Sequence, residues 1–233
     1  LSATRLPGKP LLKINGLSII SHVLKRAQEA NIGEVIVATE DQEIVEDVNK
    51  NGGKAILTSK NHKTGSDRIY EALNKINVKD IDLVMNLQGD EPIIDINDII
   101  NLNKKMIENN AKIGTLASDI SNLEDLKNEN MVKVVTQKKL NEGQFLEAET
   151  FLRTSEIRNN IYHHIGIYCY TKETLEKFVA FRQSQNEIKN RLEQLRALDN
   201  NIKINVALAK SSPIGVDTEE DYIALKKIME YKS

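Results

Sequence analysis

Gln88-Gly89-Asp90-Glu91-Pro92 follows the hydrophobic run Ile81–Leu87 and sets two carboxylates and an amide at the end of a strand. The glycine lets a ligand approach the backbone, and the proline stops the strand from continuing. Mg2+ is usually held by one or two carboxylates, with phosphate oxygens completing its shell, so Asp90 alone at a strand end is a candidate ligand. A Gly-Asp pair also makes ordinary turns. The full pentapeptide after such a strand places the metal reading of Asp90 well ahead.

Other segments carry chemistry less distinctly. Gly215-Val216-Asp217-Thr218 again follows a strand and precedes a helix. Thr218 and Asp221 have capping-box spacing, and Asp217 could share in that cap. The opening Leu1–Pro10 gathers a guanidinium (Arg5), an ammonium (Lys9) and two hydroxyls around Gly8. Arg offers a planar fork and Lys a point charge to phosphate oxygens. On composition alone, however, that stretch reads as a solvated basic terminus. His62-Lys63-Thr64-Gly65-Ser66-Asp67-Arg68-Ile69 opens a helix and could present N–H groups and hydroxyls to a base or phosphate, or simply cap the helix through Ser66. His163 and His164 are adjacent on a strand and point to opposite faces, which disfavours a shared metal ion. Leu192, Leu195 and Leu198 recur at helical spacing and read as core, leaving Glu193 and Gln194 on a solvated face by default.

These segments need a folded frame, and the totals allow one. The chain has 233 residues, 40% hydrophobic and 28% charged, enough for a sizeable core. The net charge of −2 gives no general attraction to nucleic acid or an anionic membrane. A single cysteine, Cys169, excludes an internal disulfide framework and fits a reducing compartment. No apolar run approaches the roughly 20 residues that span a bilayer, and no signal-peptide pattern is seen. A soluble, cytoplasmic protein is expected.

The hydrophobic period switches repeatedly between helical and strand spacing. Helices are expected at Ile19–Ala27, Gln42–Asn51 (stopped by Gly52-Gly53), Asp67–Lys75, Ile96–Asn109, Lys172–Phe181, Glu187–Asp199 and Glu219–Tyr231. Strands are expected at Val35–Ala38, Lys54–Thr58, Ile81–Leu87 (the clearest buried one), Ile113–Ser118, Val132–Thr136, His164–Tyr170 and Ile202–Ala209. The polar segment Asn141–Asn160 gives no assignment. Alternating elements imply a single α/β domain over 1–233, with a mainly parallel (mixed) sheet flanked by helices. Ligands of such sheets sit beyond the carboxyl ends of strands, where Asp90 and Asp217 fall.

Taken together, the motifs resemble the 3-deoxy-manno-octulosonate (Kdo) cytidylyltransferase family nearly end to end. Thr4-Arg5-Leu6-Pro7-Gly8-Lys9-Pro10-Leu11 is similar to its signature loop, His22-Val23 and Arg26-Ala27 to a helix motif, and Gly215-Val216-Asp217-Thr218 to its second carboxylate motif. The resemblance implies a Rossmann-like nucleotide-diphospho-sugar transferase (GT-A-like) fold and transfer of CMP from CTP to the acid sugar Kdo, with Mg2+ as cofactor. It implies that Arg5 and Lys9 hold the triphosphate, that Thr64, Gly65 and Arg68 recognise the cytosine, and that Gln88 lies near nucleotide and sugar. Asp90 and Asp217 are implied as metal ligands. Arg153 is implied for the sugar carboxylate, and His164, Tyr168, Glu193 and Gln194 for the rest of the sugar.

The family is typically dimeric, and residues 140–200 are expected to serve sugar binding and dimerisation. A strand and an Ala-Arg pair are expected before Leu1. The sequence departs from the pattern at Phe151-Leu152-Arg153-Thr154 and at His163. Two alternatives follow: a cytidylyltransferase for a related acid sugar (amino-Kdo or a nonulosonic acid), or a non-catalytic nucleotide- or sugar-binding homologue.

Overall fold

The computed structural model describes residues 6–76, 78, 80–210 and 212–230. The chain forms two compact units. One comprises the described residues of Leu1–Asn77, Leu87–Ile99 and Pro213–Ser233; the other comprises those of Val78–Asn86 and Ile100–Ser212.

In the first unit, β1 (Lys13–Ile14) and β2 (Leu17–Ser18) make a short antiparallel hairpin. Helix α1 (Ile19–Glu29) starts at Ser18, whose hydroxyl accepts the Ser21 N–H. It buries the apolar stripe Ile19, Ile20, Val23, Leu24 and Ala27 that its period foretells. Strands β3 (Val37–Thr39) and β4 (Ala55–Leu57) pair in parallel, with α2 (Gln42–Lys50) as their crossover. Gly52 ends α2 with φ +80°, a conformation that glycine adopts without strain, and the Gly53 N–H closes on the Val48 carbonyl at 2.9 Å. Helix α3 (Gly65–Lys75) follows. One core of this unit gathers Ile14 and Ile19 with Val216 and Leu225 from the carboxyl-terminal segment; another gathers Ile20, Leu24, Ile44 and Val48.

The chain continues through β5 (Leu83–Asn86), α4 (Ile96–Asn109), β6 (Ile113–Ser118), β7 (Lys133–Thr136), β8 (Leu146–Leu152) and β9 (Ile161–Thr171). Then come α5 (Lys172–Ala180), α6 (Gln185–Asn190), α7 (Leu195–Asp199), β10 (Ile204–Leu208) and α8 (Glu219–Glu230). The second unit is built on a six-stranded sheet, β5-β9-β6-β10-β8-β7, in which β7 also pairs with the start of β9. The mixed α/β sheet is as expected. Its balance leans to antiparallel, because the 11-residue β9 runs against β5, β6 and β7, while β6–β10 is parallel.

Three local expectations change. The run Ile81–Leu87 is not a fully buried strand: β5 ends the sheet beside β9, and its four residues are half-buried. The unassigned Asn141–Asn160 contains β8, whose alternation is faint because Phe151 is its one buried residue. The helix expected over Glu187–Asp199 is broken in two. Arg191 takes a left-handed conformation (φ +53°), and the Leu192 N–H turns back to the Glu187 carbonyl at 3.2 Å. Among the described residues no helix is long and apolar enough to cross a membrane.

Gly114 in β6 tests how tightly the second unit is packed. A Cβ there would lie 2.6 Å from Met106 Sδ and 2.8 Å from Phe145 Cζ. Gly114→Ala is therefore expected to cost about 1–3 kcal/mol of stability through overpacking, measured as a lower denaturant midpoint with an unchanged m-value.

Candidate functional site

Within the first unit, three segments distant in sequence meet at Lys9. Gly8, in the left-handed region at φ +73°, turns the chain into a short 3-10 turn over Lys9–Leu11. The Lys9 ammonium donates to Asp90 Oδ2 (2.5 Å), to the Val216 carbonyl (2.9 Å) and to Asp217 Oδ1 (3.1 Å). A backbone bond from Val216 N–H to Asp90 O, 3.0 Å, joins the two carboxylate loops directly. Thr218 and Asp221 cap α8 reciprocally, so the Asp217 carboxylate is not spent on the cap. Burial opposes the charge on Lys9, but the hydrogen bonds and charges of Asp90 and then Asp217 outweigh it and hold its pKa above the usual lysine value. Two carboxylates that already converge on one positive charge, with Asp217 half-exposed, form a donor set suited to a hard divalent cation that completes its shell with phosphate oxygens.

Glu91, next along the loop, behaves differently from Asp90. Burial, and secondarily the charge of Asp90, push its pKa up to about 8, and its Oε2 is buried with no hydrogen bond among the described residues. The adjacent carboxyls are thus differentiated: Asp90 pairs with Lys9, and burial raises Glu91 above the ordinary carboxylate range. Arg5 and Thr4 lie outside the described residues. Gln88 is exposed at the head of the loop.

The loop before α3 holds the other candidates of this unit. Thr64, not Ser66, caps the helix, its hydroxyl accepting the Asp67 N–H at 3.4 Å, and Gly65 is the first helical residue. The Arg68 guanidinium is tied to Glu40, to Thr58 Oγ1 (2.7 Å) and to the Ser59 carbonyl (3.3 Å), and so clamps the ends of β3 and β4 together. Sequence reasoning missed Glu71. It accepts from the Ser59 N–H at 2.9 Å and from Lys75 at 2.6 Å and pairs with His62, so it fastens the loop to α3. Its signal was faint, a carboxylate two turns into the helix on the side that faces its own leading loop.

The second unit gathers the remaining candidates on and around β9. His164 and Tyr168 share one face, ring centroids 5.4 Å apart, with Phe151 edge-on to the imidazole at 5.0 Å. Burial, and then the neighbouring His163, pull the His164 pKa down to about 3, so it is neutral at physiological pH. Burial raises the Tyr168 phenol well above its ordinary range, with smaller contributions from Tyr170 and the Glu193 charge, and its hydroxyl has no hydrogen-bond partner among the described residues.

Glu193 and Gln194 stand on the break between α6 and α7, not on a helix face. Gln194 is buried, and its side chain makes no capping hydrogen bond to α7. Two devices hold this break. Arg153 donates from Nε to the Asn190 carbonyl (2.8 Å), from Nη2 to the Arg191 carbonyl (2.8 Å) and from Nη1 to the Glu129 carbonyl (3.0 Å). Arg196 makes a buried two-pronged pair with Glu187 (2.8 and 2.5 Å) under the Phe178 ring. Three of the five Arg153 N–H groups are thereby committed to backbone carbonyls. The Arg196–Glu187 pair escaped sequence reasoning, because nothing in Leu192–Leu198 separates a buried arginine from a solvated one.

The fold is shared by an apo-UDP-glucose pyrophosphorylase, with a TM-score of 0.73 at 15% identity, over 99% of this chain and 95% of that one. The particular family is narrower. Residues 1–204 match the family model described as cytidylyltransferase, and the chain belongs to that family. It is 41% identical over 232 residues to a 3-deoxy-manno-octulosonate cytidylyltransferase of Nitrobacter winogradskyi, covering 98% of this chain and 91% of the relative. It is also 33% identical, with a TM-score of 0.88, to a CMP:2-keto-3-deoxy-manno-octonic acid synthetase solved in complex with CTP, over 99% of this chain and 95% of that one.

The neutral His164 makes stability depend on pH. Its folded pKa, about 3, lies below the ordinary value of 6.5, so the unfolded chain takes up a proton first and stability is lost as pH falls below about 6.5. Between roughly pH 7.5 and pH 5 the native chain is expected to lose about 2 kcal/mol more than His164→Gln. Urea unfolding of both proteins at the two pH values measures the difference; equal losses would contradict the burial of a neutral imidazole.

Proposed function

We propose that this chain transfers CMP from CTP to 3-deoxy-manno-octulosonate, releasing pyrophosphate and supplying CMP-Kdo for lipopolysaccharide biosynthesis. The observation that carries this reading is the convergence of Asp90 and Asp217 on Lys9, in a chain similar along nearly its whole length to enzymes of that activity.

The anomeric hydroxyl of the sugar attacks the α-phosphorus in line. A bond forms from that oxygen to phosphorus as the bond to pyrophosphate breaks. No covalent enzyme intermediate is needed, and the one cysteine is unsuited to form one, since burial pushes the Cys169 thiol up to about 12. The chain's task is positioning and charge stabilisation. Lys9 stays protonated and is the cation for the departing pyrophosphate, joined in this reading by Arg5. Asp90 and Asp217 are the ligands for Mg2+, which when bound supplies charge neutralisation at phosphate oxygens and a lower pKa for the attacking hydroxyl. Thr64 and Gly65 serve the cytosine at the start of α3, with Arg68 holding that loop in place, and Gln88 lies toward nucleotide and sugar.

In the second unit, His164, Tyr168, Glu193 and Gln194 serve the sugar hydroxyls. Arg153 serves the sugar carboxylate while steadying the segment that presents Glu193 and Gln194. The reading includes a cytoplasmic location and a homodimer.

Pyrophosphate release with CTP, Mg2+ and a panel of 3-deoxy sugar acids tests the reaction. Asp90→Asn and Asp217→Asn are each expected to lower kcat on the order of 100-fold or more while circular dichroism stays native. Glu193→Ala and Gln194→Ala should raise the KM for Kdo by about three- to tenfold or more and leave that for CTP unchanged. The reverse pattern would remove the sugar assignment. Light scattering should report twice the chain mass at micromolar concentration; a monomer at high micromolar concentration would rule the dimer out.

A further inference from the structure

The ladder between β6 and β9 contains an irregularity beside His164. Thr115 pairs with Tyr168, but the next residue, Leu116, pairs with Ile165, so the register shifts at this point, across Gly166 and Ile167 of β9. In an unbroken strand, residues four apart stand about 13 Å from each other. The His164 and Tyr168 side chains, on one face of β9, flank this irregularity with ring centroids 5.4 Å apart, and a bulge re-aims side chains locally.

The Thr115 hydroxyl sits at the centre of this bulge. Its Oγ1 lies 2.7 Å from the Ile167 carbonyl, 3.2 Å from the Ile165 carbonyl and 3.0 Å from His164 Nε2. A hydroxyl has one proton to give and two lone pairs to receive. The carbonyl oxygens can only accept, so the short contact to Ile167 takes the threonine proton. The contact to His164 must then run the other way, with Nε2–H donating to Oγ1. A neutral imidazole protonated on Nε2 is bare on Nδ1, and Nδ1 makes no hydrogen bond among the described residues.

We infer that Thr115 is a positioning residue for the sugar site: it pins the β9 bulge and fixes His164 in the Nε2–H tautomer, leaving Nδ1 solely as an acceptor for a substrate hydroxyl. The inference rests on the assignment of His164 to the sugar, and it specifies what the imidazole can recognise. A hydroxyl donates to Nδ1 and is accepted. A methoxy or deoxy group at the same position leaves a buried lone pair without a partner and is discriminated against.

The imidazole nitrogens can be read directly. In 15N-labelled native protein, the signals lost in His164→Gln should show a pyrrole-type Nε2 and a pyridine-type Nδ1. Thr115→Val should mix the tautomers and raise the KM for the sugar acid about three- to tenfold without changing that for CTP, and Thr115→Ser should restore both. A pyridine-type Nε2 in the native protein overturns the inference, as does a Thr115→Val variant that keeps both the native tautomer and the native KM. If Thr115→Val does not fold, the native spectrum and Thr115→Ser decide alone. Absence of pyrophosphate release with CTP and every 3-deoxy sugar acid would instead defeat the proposed reaction, while the native spectrum would still judge the tautomer.

Discussion

The Lys9 ammonium holds together segments that would otherwise repel. Without it, Asp90 and Asp217 would be two like charges on loops joined by the Val216–Asp90 backbone bond, and one would have to take up a proton or move away. With it, the opening loop, the loop after β5 and the loop before α8 share one electrostatic centre. The packing of Ile14 and Ile19 against Val216 and Leu225 brings the same segments together by hydrophobic burial, so charge balance and core formation favour one arrangement. Asp217 is half-exposed, so solvent screens its share, and the tighter restraint is the pair with Asp90.

The neighbouring Glu91 shows why two adjacent carboxyls need not act alike. Asp90 faces the ammonium, whereas Glu91 turns into a buried setting that disfavours its charge. A third negative charge at this loop would have weakened the convergence on Lys9. Sequence could name both carboxylates as strand-end residues and could prefer Asp90 for a metal. It could not foresee that burial would hold Glu91 neutral, because that depends on the packing of residues near Gly215, more than a hundred positions away.

Long periodic elements were legible because their pattern is local. The buried stripe of α1 and the bounds of α4 and β6 agree with their hydrophobic spacing. Elements decided by distant partners were not. β5 has a strongly apolar sequence yet stands at the sheet edge, and β8 is paired on both sides while burying one side chain fully. The helix break at Arg191 is the clearest case. Nothing between Glu187 and Asp199 is glycine or proline, and the leucine spacing argues for one helix. The left-handed turn persists because Arg153 takes up the carbonyls of Asn190 and Arg191, and because the capping box at Ser184 and the pair Arg196–Glu187 anchor the two sides. A non-glycine residue in that conformation costs energy, and it recurs where the surrounding structure over-determines it and the displaced backbone serves a site.

The two units therefore meet different chemical demands by different means. On the proposed function a triphosphate is recognised by charge, and the first unit gathers the Lys9 ammonium with the Asp90 and Asp217 side chains, the last of them half-exposed to water. The hydroxyls of the proposed sugar are neutral and are distinguished by direction, and several of the groups proposed to meet them carry no loose charge. His164 is neutral, Tyr168 keeps its proton, and the buried guanidinium of Arg196 is neutralised by Glu187 before any ligand arrives. Breaking that pair would leave an uncompensated buried charge at a cost of about 3–5 kcal/mol, which makes it a firm support for the turn carrying Glu193 and Gln194. The same drying that makes such groups expensive to leave unpaired is what lets them discriminate, since a ligand that fails to supply the matching donor or acceptor forfeits the whole desolvation cost of the group it faces. On the proposed function, specificity in the second unit is a consequence of burial, and the bulge in β9 and the break before α7 are departures from regular structure that let backbone-satisfied elements present polar atoms there.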